Sequence, residues 1–245
     1  MKTAALFAFA LLLNAQEPLL RIPPARVVVE IEHQPIAITA SGTVSRSNRP
    51  DGYSLSITAD LGDLQAHATE ILHSALDRSD ECGERIAIQR ASLVPAPPGA
   101  MLTAELHFER WACGKALGKK IKKRLVAGDG TVRVALTPAL VSPTQSRVDA
   151  EVRDIQADGT MGELLRSGSL GTALREKIRS SVQSALDRAT DFRATLPAVL
   201  QDLVRVRGVG FADAGGGRLA LEVNAEATIS GAQLRELRGE LEKRR

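Results

Sequence analysis

A chain of 245 residues with 44% hydrophobic side chains is long enough to bury a sizeable core, as one large domain or two small ones. Its aromatic content is only 3%. Apart from Phe7 and Phe9 near the start, the large rings are Tyr53, Phe108, Trp111, Phe192 and Phe211, which argues against stacking platforms for carbohydrate or single-stranded nucleic acid. The net charge of +3 permits attraction to anionic lipid or polysaccharide without demanding it, and no nucleic-acid partner is expected.

Residues 1–15, MKTAALFAFALLLNA, come first in chain order. Lys2 gives a positive start, Ala4 to Leu13 form an unbroken apolar run, and Ala15 supplies a small residue before Gln16 and Glu17. This reads as a secretory signal peptide, too short for a membrane anchor. No Cys stands near the junction, so a lipid-anchored route is not indicated. Residues 16–245 are then expected as a single mature domain, periplasmic or secreted, where disulfides persist. ATP and nicotinamide are scarce there, and no cofactor is expected.

Val27, Val29 and Ile31 recur at a period of two beside the charged Arg26 and Glu30, and Ile36, Ile38 and Ala40 continue it. A turn over 45–52 precedes a third alternating run, Tyr53, Leu55, Ile57 and Ala59. The period then changes: Leu61, Leu64, Ala68, Ile71, Leu72 and Ala75 recur at three and four, with Asp60 placed to cap the start. This predicts an amphipathic helix ending near Ser79. A hairpin follows, with Ile86 and Ile88 on one arm, the PAPPGA turn, and Leu102, Ala104, Leu106 and Phe108 on the other.

The second half repeats this order. Val132, Val134 and Leu136 alternate, then Val148, Ala150 and Val152. A helical stripe runs through Leu170, Leu174, Ile178, Val182, Ala185 and Ala189, closed by Pro197. A last hairpin joins 204–211 to Leu219, Leu221, Val223, Ala225 and Ala227 across Gly215 to Gly217. Two strand–strand–helix–strand–strand pseudo-repeats, about 26–113 and 124–229, describe this pattern. A C-terminal helix over 230–245 opens where Ser230 and Gln233 have capping-box spacing, and carries the stripe Leu234, Leu237 and Leu241.

Cys82 and Cys113 are the only cysteines. Counting outward from the PAPPGA turn brings them almost opposite each other, where the Cα separation suits a disulfide. The same count sets Ile86 and Ile88 opposite Glu109 and His107, so a one-residue slip or β-bulge is expected between turn and cysteines. Export, parity and position favour an intramolecular bridge. Metal ligation together with His107 is the other reading, although no zinc spacing is present.

Several motifs tempt and fail. In CGKALGKK the interval from Gly114 to Gly118 is one residue short for a phosphate loop, and no Ser or Thr follows Lys119. GVGFAD, from Gly208, lacks its third glycine and lies between strands. His33, His67, His73 and His107 form no metal or catalytic spacing, and Asp80 and Glu81 have no partner base.

The cluster Lys115, Lys119, Lys120, Lys122, Lys123 and Arg124 places six cations in ten residues, with Leu117, Ile121 and Leu125 at helical spacing among them. One reading is a solvated connector between the two halves. The other is a short basic amphipathic element that touches anionic lipid headgroups or another polyanion.

The fold class expected is α+β, with twisted antiparallel sheets wrapped around long amphipathic helices. In element order the chain resembles the tubular lipid-binding superfamily. The resemblance rests on helices beginning directly after SLSITADLGDL and EVRDIQADGTMGEL, and on the aliphatic hairpins around them. It implies an apolar groove between helix and sheet able to hold an acyl chain. The leading expectation is an exported binding protein for a lipid or other apolar ligand in the cell envelope. The competing one is a non-catalytic structural or interaction protein of the envelope without a small-molecule ligand. An enzyme comes third.

Overall fold

Period-two alternation governs most of the chain, and the backbone follows it. In a computed structural model the described residues are 18–49, 52–79, 82–116, 119–142, 145–157, 204–228 and 230–233, with isolated positions at 162, 172, 176, 179, 180, 235 and 239. Strands β1 (Leu20–Ile31), β2 (Gln34–Arg46) and β3 (Gly52–Asp60) form consecutive antiparallel pairs. Helices α1 (Gly62–Ala66) and α2 (Ala68–Leu76) follow, then β4 (Arg78–Ser79), β5 (Gly83–Ala96) and β6 (Gly99–Ala116). Strands β7 (Lys119–Ser142), β8 (Gln145–Ala157), β9 (Val204–Asp213) and β10 (Leu219–Thr228) complete the order.

Two five-stranded antiparallel sheets result, β1-β2-β3-β10-β9 and β4-β5-β6-β7-β8. The chain leaves the first sheet after β3, builds the second, and returns so that β10 pairs with β3. Each half of the sequence thus feeds both sheets. Their inner faces share one apolar cluster, to which Ile36, Val44 and Leu55 contribute from the first sheet and Leu106, Phe108 and Val148 from the second. Alternate residues of a strand point to opposite faces, so the runs 102–108 and 219–227 bury their odd or even set as the sequence predicts.

The expected long amphipathic helices are not seen among the described residues; the helices there have five and nine residues. The apolar positions of the first are as expected, with Leu61, Leu64, Ala68, Ile71 and Leu72 buried and Ala75 partly so. The helix is interrupted at His67, whose φ of −100° and ψ of 15° leave the α region. It stops at Leu76 rather than near Ser79, because Asp77 is extended and Arg78–Ser79 pairs with β5. Asp60 does not hold the cap position, which falls to Leu61, but its Oδ1 accepts the Gly62 N–H at 2.8 Å. The second predicted stripe, Leu170 to Ala189 with Pro197, lies outside the described residues, although Thr172, Glu176, Arg179 and Ser180 are helical. At 230 the capping box is formed. The Ser230 N–H donates to Gln233 Oε1 at 2.9 Å, and the Gln233 N–H to Ser230 Oγ at 3.3 Å. Gly231, Ala232, Gln233, Arg235 and Gly239 are helical, whereas Leu234, Leu237 and Leu241 lie outside the described residues.

Polar side chains of α1 and α2 finish what the sheets leave open. Among the described residues no strand lies beside the outer edge of β5 beyond the two-residue β4, and bare edges invite pairing with other chains. Thr69 Oγ1 accepts the Ala91 N–H at 2.9 Å and donates to the Ala91 carbonyl, and Asp77 Oδ1 accepts the Ile88 N–H at 2.9 Å. Gln65 Nε2 donates to the Leu93 carbonyl at 2.8 Å. On the other sheet, Asp63 Oδ2 accepts the Ala37 N–H at 2.6 Å, where β2 extends past β3. These short helices therefore act as an edge cover as well as a packing layer.

Candidate functional site

The basic cluster is where sequence and structure differ most. Residues 115–116 and 119–124 are strand rather than helix and belong to one hairpin, with β6 running to Ala116 and β7 starting at Lys119. Spacings of four between Leu117, Ile121 and Leu125 satisfy a helix, but they also fall on one side of a strand, because four is a multiple of two. Leu117 itself lies outside the described residues.

Among the described residues this hairpin outreaches its neighbours. Pairing of β5 with β6 ends at Gly83 and Trp111, and pairing of β8 with β7 begins only at Gly130 and Ala157. β6 and β7 stay paired as far as Ala116 and Lys119. Residues 112–116 and 119–123 are therefore a two-stranded ribbon that extends about 17 Å past Trp111, at about 3.3 Å per residue. Such a ribbon has no hydrophobic face to stabilise it by burial and needs help at its base.

The disulfide supplies that help. Cys82 and Cys113 are bonded, with a Cα–Cα distance of 5.6 Å, and tie the start of β5 to the ribbon. The metal reading with His107 is overturned, since both thiols are consumed and His107 pairs instead with Asp129. The expected bulge lies at Gln89, between the Ile88–Leu106 and Arg90–Glu105 pairs. It brings Ile86 opposite Phe108 on the inner face and shifts Cys82 by one, so the bridge runs diagonally rather than straight across.

Register sorts the ribbon into two faces. On one, Trp111, Cys113 and Lys115 stand opposite Arg124, Lys122 and Lys120. On the other, Ala112, Gly114 and Ala116 stand opposite Lys123, Ile121 and Lys119. Lys115, Lys122, Lys123 and Arg124 are exposed, and so are Ile121 at 50% and Leu125 at 57%. Leu125 sits at the bulge between the Arg110–Val126 and Trp111–Arg124 pairs.

At the base of the tip, Glu109 is a hub that composition gives no hint of. It is only 16% exposed, accepts the Trp111 Nε1–H at 2.8 Å and an Arg124 guanidinium N–H at 3.2 Å, and lies 3.7 Å from both Arg85 and His107. The Trp111 hydrogen bond, with Arg124 and His107 behind it, holds its carboxyl below the usual range against the opposing effect of burial. Arg85 also stands 5.0 Å from the centre of the Trp111 ring, a cation–π distance. The detectable signal was Glu109 two residues before the single Trp of the chain, because on a strand that spacing places both on one face.

Further along the outer face, His107 Nδ1 lies 2.8 Å from Asp129 Oδ1, which also accepts from Gln89 Nε2 at 3.0 Å. The His107 hydrogen bond draws the Asp129 carboxyl below its ordinary range. Beside this pair an open cleft of about 310 Å³ is lined by Gln89, Glu105, Asp129, Thr131 and Gln156. His33 occupies the β1–β2 turn, and His67 and His73 lie on the α1–α2 segment, so the four histidines do not converge. Asp80 and Glu81 lie outside the described residues. Gly208 and Gly210 are interior to β9.

The disulfide points to a non-reducing compartment, and among the described residues no helix is long and apolar enough to cross a membrane. No protein-family model, curated protein or solved structure matches the chain.

Proposed function

We propose that this is an exported, non-catalytic binding protein of the cell envelope, and that the β6–β7 tip is its contact element for an anionic surface. The observation that carries this reading is the overhang: Lys115, Lys122 and Lys123 stand exposed on a ribbon that runs past the described ends of β5 and β8 and is pinned by a disulfide. A solvated connector needs neither feature. Each cation close to an anionic surface is worth about 1 kcal/mol, so the cluster as a set supplies useful attraction at low salt.

Replacing Lys119, Lys120, Lys122 and Lys123 with Gln tests it. Retention on immobilised polyphosphate and co-sedimentation with anionic vesicles are expected to fall, with Tm nearly unchanged. Added salt should mimic the substitution, because exposed charges are screened within about 10 Å at 0.1 M. A quadruple variant that binds as the parent does removes the proposal.

A lipid or other apolar ligand held inside is the second reading. In its favour, the inner faces are almost wholly aliphatic, with Tyr53, Phe108 and Phe211 as the buried rings among the described residues. Flexible aliphatic walls suit acyl chains. Saturable one-site binding of a fluorescent fatty acid by delipidated protein supports it, and its absence removes it.

A further inference from the structure

We infer that the tip is built to enter an anionic lipid bilayer, not only to adsorb on a polyanion, with Ile121 and Leu125 as the inserting side chains; the inference rests on the surface-contact reading above. A polyanion such as a polysaccharide or polyphosphate is satisfied by cations alone. The hairpin carries in addition two large aliphatic side chains that are half-exposed or more, Ile121 on the ribbon and Leu125 at its base, among the cations of the cluster.

Their placement is specific. Ile121 stands opposite Gly114, and the position a side chain would occupy there has no atom within 4 Å, so nothing across the strand covers Ile121. Ala112 and Ala116, the neighbours of Gly114 on that face, are small as well. Lys123, next on the same face, is exposed. Leu125 is turned out at the bulge, while the adjacent Val126 packs against the core. Apolar side chains ringed by cations match the boundary between headgroups and acyl chains, where long cationic stems lie along apolar surface and their heads reach phosphate. Among the described residues, strands β5 and β8 end before this ribbon and do not flank it.

Two variants and two kinds of vesicle test this. Vesicles of phosphatidylcholine with and without phosphatidylglycerol are titrated with the parent and with Ile121→Ser/Leu125→Ser. The parent is expected to partition onto the vesicles containing phosphatidylglycerol. The double variant should partition about tenfold more weakly, yet be retained on immobilised polyphosphate as the parent is. In Trp111→Phe/Ile121→Trp, emission should move to shorter wavelength on these vesicles and be quenched by brominated acyl chains. Equal partitioning of parent and double variant overturns the inference, as does a Trp at 121 that remains in water. Binding to polyphosphate with no binding to vesicles overturns it too, while leaving the surface-contact reading in place. Loss of both kinds of binding from the parent removes the reading itself.

Discussion

Gln65 and Leu219 lie 154 residues apart in sequence, yet the Leu219 N–H donates to Gln65 Oε1 at 2.6 Å. The carboxamide nitrogen of the same side chain donates to the Leu93 carbonyl at 2.8 Å and the Gly217 carbonyl at 3.0 Å. One residue of a single-turn helix thereby joins the edge of β5 in one sheet to the β9–β10 turn in the other.

Gln65→Leu keeps the bulk and removes all three bonds, leaving the Leu219 N–H and the Leu93 carbonyl without this partner. A loss of about 2–3 kcal/mol is expected, since an unsatisfied part-buried group costs about 1–3 kcal/mol. Urea unfolding measures it as a lower midpoint at unchanged slope. A midpoint equal to that of the parent would show that water replaces the carboxamide without penalty.

The Cys82–Cys113 bridge spans 31 residues. In the chain-entropy picture a loop of that length contributes about 3–4 kcal/mol. Titration of the unreduced, unfolded protein is expected to find no free thiol. Cys82→Ser/Cys113→Ser should lower stability by about that amount, and ribbon amides from Ala112 to Ala116 should lose protection from hydrogen exchange before the sheet does. Free thiols in the unreduced protein, or a double variant as stable as the parent, would contradict the role given to the bridge.

Because Glu109 is held below the ordinary carboxylate range in the folded chain, the unfolded chain takes up its proton first as pH falls. The stabilisation Glu109 provides is thus complete above the ordinary carboxylate range and is lost as pH falls through it to the depressed folded value. Glu109→Gln should be less stable than the parent near neutrality, and the difference should narrow on acidification. Unfolding midpoints over a pH series read this directly. A gap that stays constant or widens towards low pH is the opposite result.

Strand positions were legible wherever one face is buried, because a period of two leaves its mark on composition. Leu102 to Phe108 and Leu219 to Ala227 are of this kind. The bulge at Gln89 was legible too, since Ile86 and Ile88 could not face Glu109 and His107 without exposing the core. The tip was misread because cations stand on both faces of β7 there, which erases the burial signal, and because spacings of four fit helix and strand alike. His67 gave no warning of the helix break, as the apolar stripe passes through it undisturbed. Glu109 escaped notice because its partners Arg85 and Arg124 are brought to it by pairing between strands, which a single sequence does not record.

Strand β7 runs unbroken for 24 residues, from the tip through the core to the far end of the second sheet. Its ladders with β6 and β8 lie along that axis. A force applied at Lys119 and directed along the strand loads many hydrogen bonds together in shear, rather than opening them one at a time as in peeling. Such a load passes first through the ladder with β6 alone and, from Gly130 onward, through the ladder with β8 as well, so it is spread over more strands the further it travels from the tip.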